Sequence, residues 1–357
     1  MKYGRTILMK KRIAYIDLLK VIAIFMVITL HNGTWHTDFM KTGNWSNALQ
    51  FSVRLFCEPV PIFMLINGFL MFGKKLDSKK HIRRIVNTVL LILCWSVIMD
   101  VFFTLAEGNT LSFTGVIKSV LNTYISNSHT GVLWFLQKLV TVYLVFPVLK
   151  HLFDTNIKLF NYLLLVLVAS TYAVNLVSLF SPLISSDLYA SFLFFLKQYS
   201  VVFTTNIYLI YFMLGGFLLH HVDRLNHKCC IGFGLLSAVM VTVLGITISV
   251  SQGATCGANL NYSQIFLFFT IIGLFLLCSH IPLNNSVINK CLACIGDNTM
   301  GIYLLHRMVI WSVHKWIPIS TPSLLLRLGL SCIVLLISLG ITIIIRKIPK
   351  VSFLIKL

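Results

Sequence analysis

The chain has 357 residues, 57% of them hydrophobic and only 11% charged, with 29 Lys and Arg against 10 Asp and Glu. A soluble domain carries about a quarter charged residues, and a disordered chain exposes far less apolar surface, so both classes are excluded. The net charge of +19 does not mark a nucleic-acid binder. Its basic residues fall in short clusters between apolar runs of roughly 18–22 residues, about the span of a bilayer's hydrocarbon core.

The N-terminal stretch MKYGRTILMKKRIAYIDLLKVIAIFMVITLH has the basic start of a signal peptide. Its apolar part is too long, carries Asp17 and Lys20, and lacks a small-x-small cleavage site, so it reads as a retained first span. Apolar runs against polar breaks give ten spans, near 13–33, 51–72, 85–106, 131–149, 159–180, 199–219, 230–250, 262–280, 297–316 and 323–345. The expected fold is therefore an all-α, polytopic transmembrane bundle. It occupies residues 1–357 as one domain, with no internal repeat and no appended soluble domain.

Ten spans place both termini on one side. The loops of that side, including the Lys74–Arg84 stretch, hold 20 of the 29 basic residues, whereas the opposite loops hold Lys41, Lys118 and Lys197. The positive-inside rule then puts both termini in the cytoplasm. Most cysteines lie within apolar runs. Cys291 and Cys294 have metal or redox spacing, but a lone pair without a third ligand is weak, and no metal is expected.

Charges inside spans cost roughly 2.5–3.5 kcal/mol each on insertion scales, so each calls for a reason. In the first span Lys20 and His31 are three helical turns apart, sharing a face about 16 Å long. Asp17 lies three residues before Lys20, close enough to pair with it or to sit at the headgroups. Span two holds Arg54 and Glu58 at i,i+4, either a structural ion pair or a substrate contact. Asn67-Gly68 in that span suits a tight helix contact. Arg83 and Arg84 stand at the cytoplasmic mouth of span three. Trp134, Gln137 and Lys138 cluster within one turn of span four. Tyr303 and His306 share a face in span nine, and Arg307 follows. His220 and His221 read as solvated loop residues.

The stretch RIAYIDLLKVIAIFMVITLHNG resembles the opening helix of the acyltransferase-3 family of integral membrane acyltransferases. The family's Asp, basic residue and His correspond to Asp17, Lys20 and His31, with Lys replacing the usual Arg and losing its bidentate fork. The resemblance continues through PVPIFMLINGF, with Asn67 for the usual Ser, and through KKHIRRIVNTV. It extends to GVLWFLQKLVTVYLVFP by way of Trp134, Phe135, Leu139, Tyr143 and Pro147, and to IGDNTMGIYLLH, with Thr299 near the usual Ser. The five patches run in order from one end of the chain to the other.

The resemblance implies an enzyme of the bacterial cytoplasmic membrane that moves an acyl group, usually acetyl, from cytoplasmic acyl-CoA to a hydroxyl of an extracytoplasmic glycan or other cell-envelope acceptor. A polyanionic CoA suits the basic cytoplasmic face, with Arg83, Arg84 and Lys20 as its contacts. Hydroxyl attack on a thioester needs a base, and His31 is the candidate, acting either directly or through an acyl-histidine. Asp17 balances Lys20. Arg54, Glu58, Trp134, Lys138, Tyr303 and His306 are expected around the pocket. A homo-oligomer is left open, and the partners expected besides acyl-CoA and acceptor are lipid alone. Two rival readings stand beside this one. The first is a transporter or flippase for a glycan or its lipid-linked precursor, and the second is a small-ligand sensor of the racemase-associated type.

Overall fold

A computed structural model describes residues 12–35, 45–57, 59–125, 131–179, 185–199, 206–251, 265–317 and 323–355. Every regular element among them is helical. In chain order these are α1 (Ala14–His31), α2 (Trp45–Phe56), α3 (Pro59–Phe72), α4 (Ser78–Ala106) and α5 (Phe113–Ile125). Then come α6 (Trp134–Thr155), α7 (Ile157–Leu179), α8 (Ser186–Tyr199) and α9 (Asn206–His221). The last four are α10 (His227–Ser251), α11 (Ile265–His280), α12 (Ser286–Trp316) and α13 (Leu324–Lys347). Two 3₁₀ turns, Val222–Arg224 and Ser352–Ile355, complete the set.

Every expected span falls on a helix, with three departures that local chemistry explains. The run 51–72 is divided into α2 and α3, because Pro59 and Pro61 lack N–H groups and suit the first turn of a new helix. The helices that carry the third and ninth expected spans, α4 and α12, begin earlier than their apolar stretches do. Asp77 caps α4 by accepting the Lys80 amide at 3.1 Å. That amide holds the Asp77 carboxyl below its usual pKa. Asn285 caps α12 by accepting the amides of Val287 and Ile288 at 2.8 and 3.2 Å. Both helices therefore extend from their apolar spans into polar sequence. In addition, α5 and α8 form in stretches expected as loops. Among the described residues, five helical stretches meet the length and apolarity of a membrane span: 14–31, 49–72, 78–106, 134–155 and 324–347.

The helices form two compact units interleaved in sequence. The first draws on Met1–Leu19, Trp35–Lys75 and Val148–Asn284, the second on Lys20–Thr34, Leu76–Pro147 and Asn285–Leu357. In the first unit α3 packs against α9, and α10 against α11. Both contacts include a close approach of backbone to backbone at glycine. A Cβ at Gly68 would run into the Phe212 carbonyl, and one at Gly215 into the Leu65 carbonyl and Phe69 amide. Gly234 and Gly273 face each other in the same way across α10 and α11. In lipid, helices gain nothing from hiding apolar side chains from one another, so close backbone approach at small residues supplies the packing. The expectation for Gly68 is met. Rings fill the remaining space, with Phe72 against Phe153, Phe160 and Phe212 at 4.9–5.4 Å. The buried Lys150 ammonium donates to the Phe72 carbonyl at 2.8 Å and pairs with Asp154 at 2.6 Å, which closes the end of α3.

In the second unit α12 and α13 are in contact, with Gly301 under Thr342. Trp95 of α4 donates its indole N–H to the Leu354 carbonyl at 2.6 Å, tying the last 3₁₀ turn to the unit. Pro147 lies inside α6, so the Tyr143 carbonyl four residues earlier has no intrahelical donor. His81 of α4 supplies one, with Nε2 2.8 Å from that oxygen.

Replacing Gly68 by Ala forces the α3 and α9 backbones apart, a change of about 1–3 kcal/mol for overpacking. The expected result is a lower melting temperature in detergent. Gly232→Ala, where nothing stands within 4 Å, should leave the melting temperature unchanged or raise it.

Candidate active site

Helix α1 is continuous from Ala14 to His31, so the three-turn spacing of Lys20 and His31 holds. Asp17, in its first turn, is almost fully buried and binds Arg12 Nε at 2.5 Å. Arg12, five residues earlier in the sequence, is thus a partner of this carboxylate. Lys20 itself is half-buried.

At the other end of α1 the chain turns out of the helix at Gly33, whose φ of 81° is left-handed. The imidazole of His31 is half-buried here, with its ring 5.4 Å from that of His306 on α12. Tyr303, one turn before His306, lies 5.7 Å from it, ring to ring, and stacks edge-on against Phe135 at 5.5 Å. The Tyr303 hydroxyl donates to the Val132 carbonyl, and the His306 Nδ1 is bonded to the Tyr303 carbonyl. His306 is wholly buried. Three residues expected at the site from sequence (His31, Tyr303 and His306) therefore converge.

A set of residues that the sequence reading passes over holds this end of α1. Arg327, fully buried on α13, donates through Nη1 to the Asn32 carbonyl and to the Gly33 carbonyl at 3.1 Å, and through Nη2 to the Thr34 carbonyl at 2.5 Å. A helix C-terminus carries unsatisfied carbonyls and partial negative charge, so a guanidinium fork suits it. The buried Asn32 accepts from His314 Nε2 at 2.7 Å and donates to Ser331 Oγ at 3.1 Å and the Arg327 carbonyl at 3.3 Å. Arg327 had a signal available, as one of six Lys and Arg residues within the expected spans. Asn32 had none, because one Asn after a helix is ordinary.

On α4, Arg83 is exposed, and Arg84 lies half-buried with its guanidinium 5.9 Å from the Tyr143 ring centre. His81, bound to the Tyr143 carbonyl and packed on the Phe146 ring at 5.4 Å, fixes this turn of α4 on α6. The arginine pair thus closely follows the residue that ties α4 to α6. Trp134 and Lys138 are half-buried on α6. Arg54 belongs to the other unit, on α2, and Glu58 lies outside the described residues. Thr299 turns its hydroxyl onto the carbonyls of Ile295 and Gly296 at 3.1 and 3.0 Å, and Arg346 instead reaches Asn298 at 2.9 Å.

Several other features lie apart from this cluster. An apolar groove of about 420 Å³ is lined by Phe102, Leu305, Met308, Val309, Ile337 and Ile341 among others. It holds none of the expected site residues. His221 is half-buried and within 2.9 Å of Asn161 Nδ2, so it is not solvated as expected. Cys291 and Cys294 are both exposed on α12, and among the described residues no three metal-binding side chains come together.

A family of acyltransferase domains, acyltransferase-3, matches residues 13–346, nearly the whole chain. The chain belongs to the acyltransferase-3 family. It is accordingly a membrane acyltransferase, with the matched region running from the start of α1 to the end of α13. No curated protein and no solved structure matches it. The acyltransferase-3 motifs in α1 and α12 come into contact through His31 and His306.

Two measurements check this framework. Arg327→Leu strips a donor from the buried Asn32 carbonyl, a loss of about 1–3 kcal/mol. It should lower the melting temperature, and Arg327→Lys should recover part of that loss. His81→Phe orphans the Tyr143 carbonyl at similar cost. In a double-mutant cycle, Pro147→Ala should restore an N–H near that carbonyl and reduce the penalty of His81→Phe. Additive effects would show that the two residues are not coupled.

Proposed function

We propose that the chain is a ten-span O-acyltransferase of the bacterial cytoplasmic membrane, with both termini in the cytoplasm. It takes an acetyl group from cytoplasmic acetyl-CoA and gives it to a hydroxyl of an extracytoplasmic glycan or cell-envelope acceptor. The observation that carries this reading is the packing of half-buried His31 against His306, whose ring in turn lies against Tyr303. It places an imidazole, the side chain suited to proton transfer at neutral pH, at the end of an apolar helix in a family of acyltransferases.

In this mechanism Arg83 and Arg84 bind the CoA phosphates as charge-assisted donors, and Lys20 adds a cation along the α1 face. Asp17, held by Arg12, keeps the first turn of α1 in place. His31 takes the proton of the acceptor hydroxyl as its oxygen attacks the thioester carbonyl. The C–S bond breaks, the new ester C–O bond remains, and the CoA thiolate takes up the proton from His31. Trp134, Lys138, Tyr303 and His306 shape the pocket in the second unit. Glycan and thioester meet only if a polar route crosses the bundle, which accounts for the few charges kept within its spans.

Purified protein in lipid discs should consume acetyl-CoA only when acceptor is present, and the acceptor should gain one acetyl by mass spectrometry. His31→Ala should lower turnover by about 10²–10⁴-fold, the range of a general base. Arg83→Ala with Arg84→Ala should raise the KM for the donor while leaving kcat near its starting value. Full activity in His31→Ala would refute this assignment. Acceptor movement without any need for CoA would favour a transporter.

A further inference from the structure

We propose that His306 is the orienting partner of His31, accepting a hydrogen bond from it and so choosing which of its ring nitrogens faces the acceptor hydroxyl. This rests on the reading of His31 as the base. The Tyr303 carbonyl can only accept, so His306 Nδ1 carries a hydrogen. An imidazolium wholly buried beside a neutral carbonyl is costly, and the ring is therefore the neutral form, with its lone pair on Nε2. That Nε2 is buried and has no hydrogen-bond partner among the described residues. A buried acceptor without a donor is uncommon and calls for one.

The polar ring beside it is His31. Their centroids are 5.4 Å apart with a 36° tilt, so a side-chain rotation is enough to bring a ring N–H of His31 within hydrogen-bond reach of that Nε2. The two rings also differ in depth. His31 is half-buried and open to a substrate, whereas His306 is completely covered behind it. The arrangement follows the logic by which a base is itself held by a third group. The Tyr303 carbonyl accepts from His306 Nδ1, His306 Nε2 accepts from one nitrogen of His31, and the other nitrogen of His31 presents its lone pair to the hydroxyl. During transfer that second nitrogen takes the hydroxyl proton and returns it to the CoA thiolate, while the bond to His306 Nε2 persists. His306 neither gains nor loses a proton. It is a positioning residue, and the carbonyl of Tyr303 sets its tautomer.

The test uses the full chain in lipid discs with ¹⁵N-labelled histidine, where ring-nitrogen shifts report which nitrogen is protonated. Comparison with His31→Gln assigns the His31 signals. Wild type should show one His31 tautomer, His306→Leu a mixture, and His306→Gln, whose amide oxygen still accepts, a single tautomer again. In kinetics His306→Leu should lower kcat by about 10²-fold, the effect of a misplaced reacting group, with KM nearly unchanged. His306→Gln should recover most of that loss. Where His306→Leu folds poorly, His306→Met, of similar volume, takes its place. An unchanged His31 tautomer on loss of the acceptor, or equal losses in the Leu and Gln variants, would overturn the proposal. An absence of acyl transfer by wild type would refute the enzymatic reading alone, because the tautomer measurement needs no turnover.

Discussion

The guanidinium of Arg327 decides where the first helix ends. It is fully buried and donates to three successive carbonyls, those of Asn32, Gly33 and Thr34. A helix terminus in an apolar setting leaves its last carbonyls without partners, and each such group is costly. One charged fork answers several of them at once. His31 is the last residue of that helix, so its ring position follows from the clamp. The bonds of Asn32 to His314 and Ser331 then tie the same point to α12 and α13. Here a stability device and a reactive group share one turn of chain.

The same economy of polar groups recurs elsewhere. Proline in α6 frees the Tyr143 carbonyl, and His81 binds it. The end of α3 leaves the Phe72 carbonyl open, and Lys150 binds it. In each place a side chain that looks functional in a membrane span is holding backbone. This bears directly on site assignment, because intramembrane ionisable residues are by default functional candidates. His81 and Lys150 have their hydrogen bonds satisfied by structure. His306 differs, since one nitrogen is bound to backbone and the other has no partner among the described residues. The unsatisfied atom, rather than the residue type, separates a histidine free to hold a partner from one committed to backbone.

Glycine sets the other constraint. Backbone contact at Gly68 with Phe212, and at Gly234 with Gly273, brings helices of the first unit closer than side chains would permit. Helices packed at that distance have little freedom to slide. The second unit relies more on hydrogen bonds from side chain to backbone, such as Tyr303 to Val132 and Trp95 to Leu354. Polar side chains reaching over long sequence separations hold its register.

The sequence by itself determined that the chain is helical and membrane-bound, and it picked out His31, Tyr303 and His306. It could do so because apolar length and isolated charge are local properties, readable within one helix. The tight contact at Gly68 was legible for the same reason. Helix boundaries at Pro59, Asp77 and Asn285 were less so, since caps extend helices into polar sequence that resembles loop. Which groups meet was decided only by the tertiary structure. Asn32 and Arg327 are 295 residues apart, and no periodicity links them. Asp17 binds Arg12, a residue ahead of the helix that no position on the helix face indicates. Helical spacing fixes which residues share a face, but the partner across from that face is chosen by how helices pack.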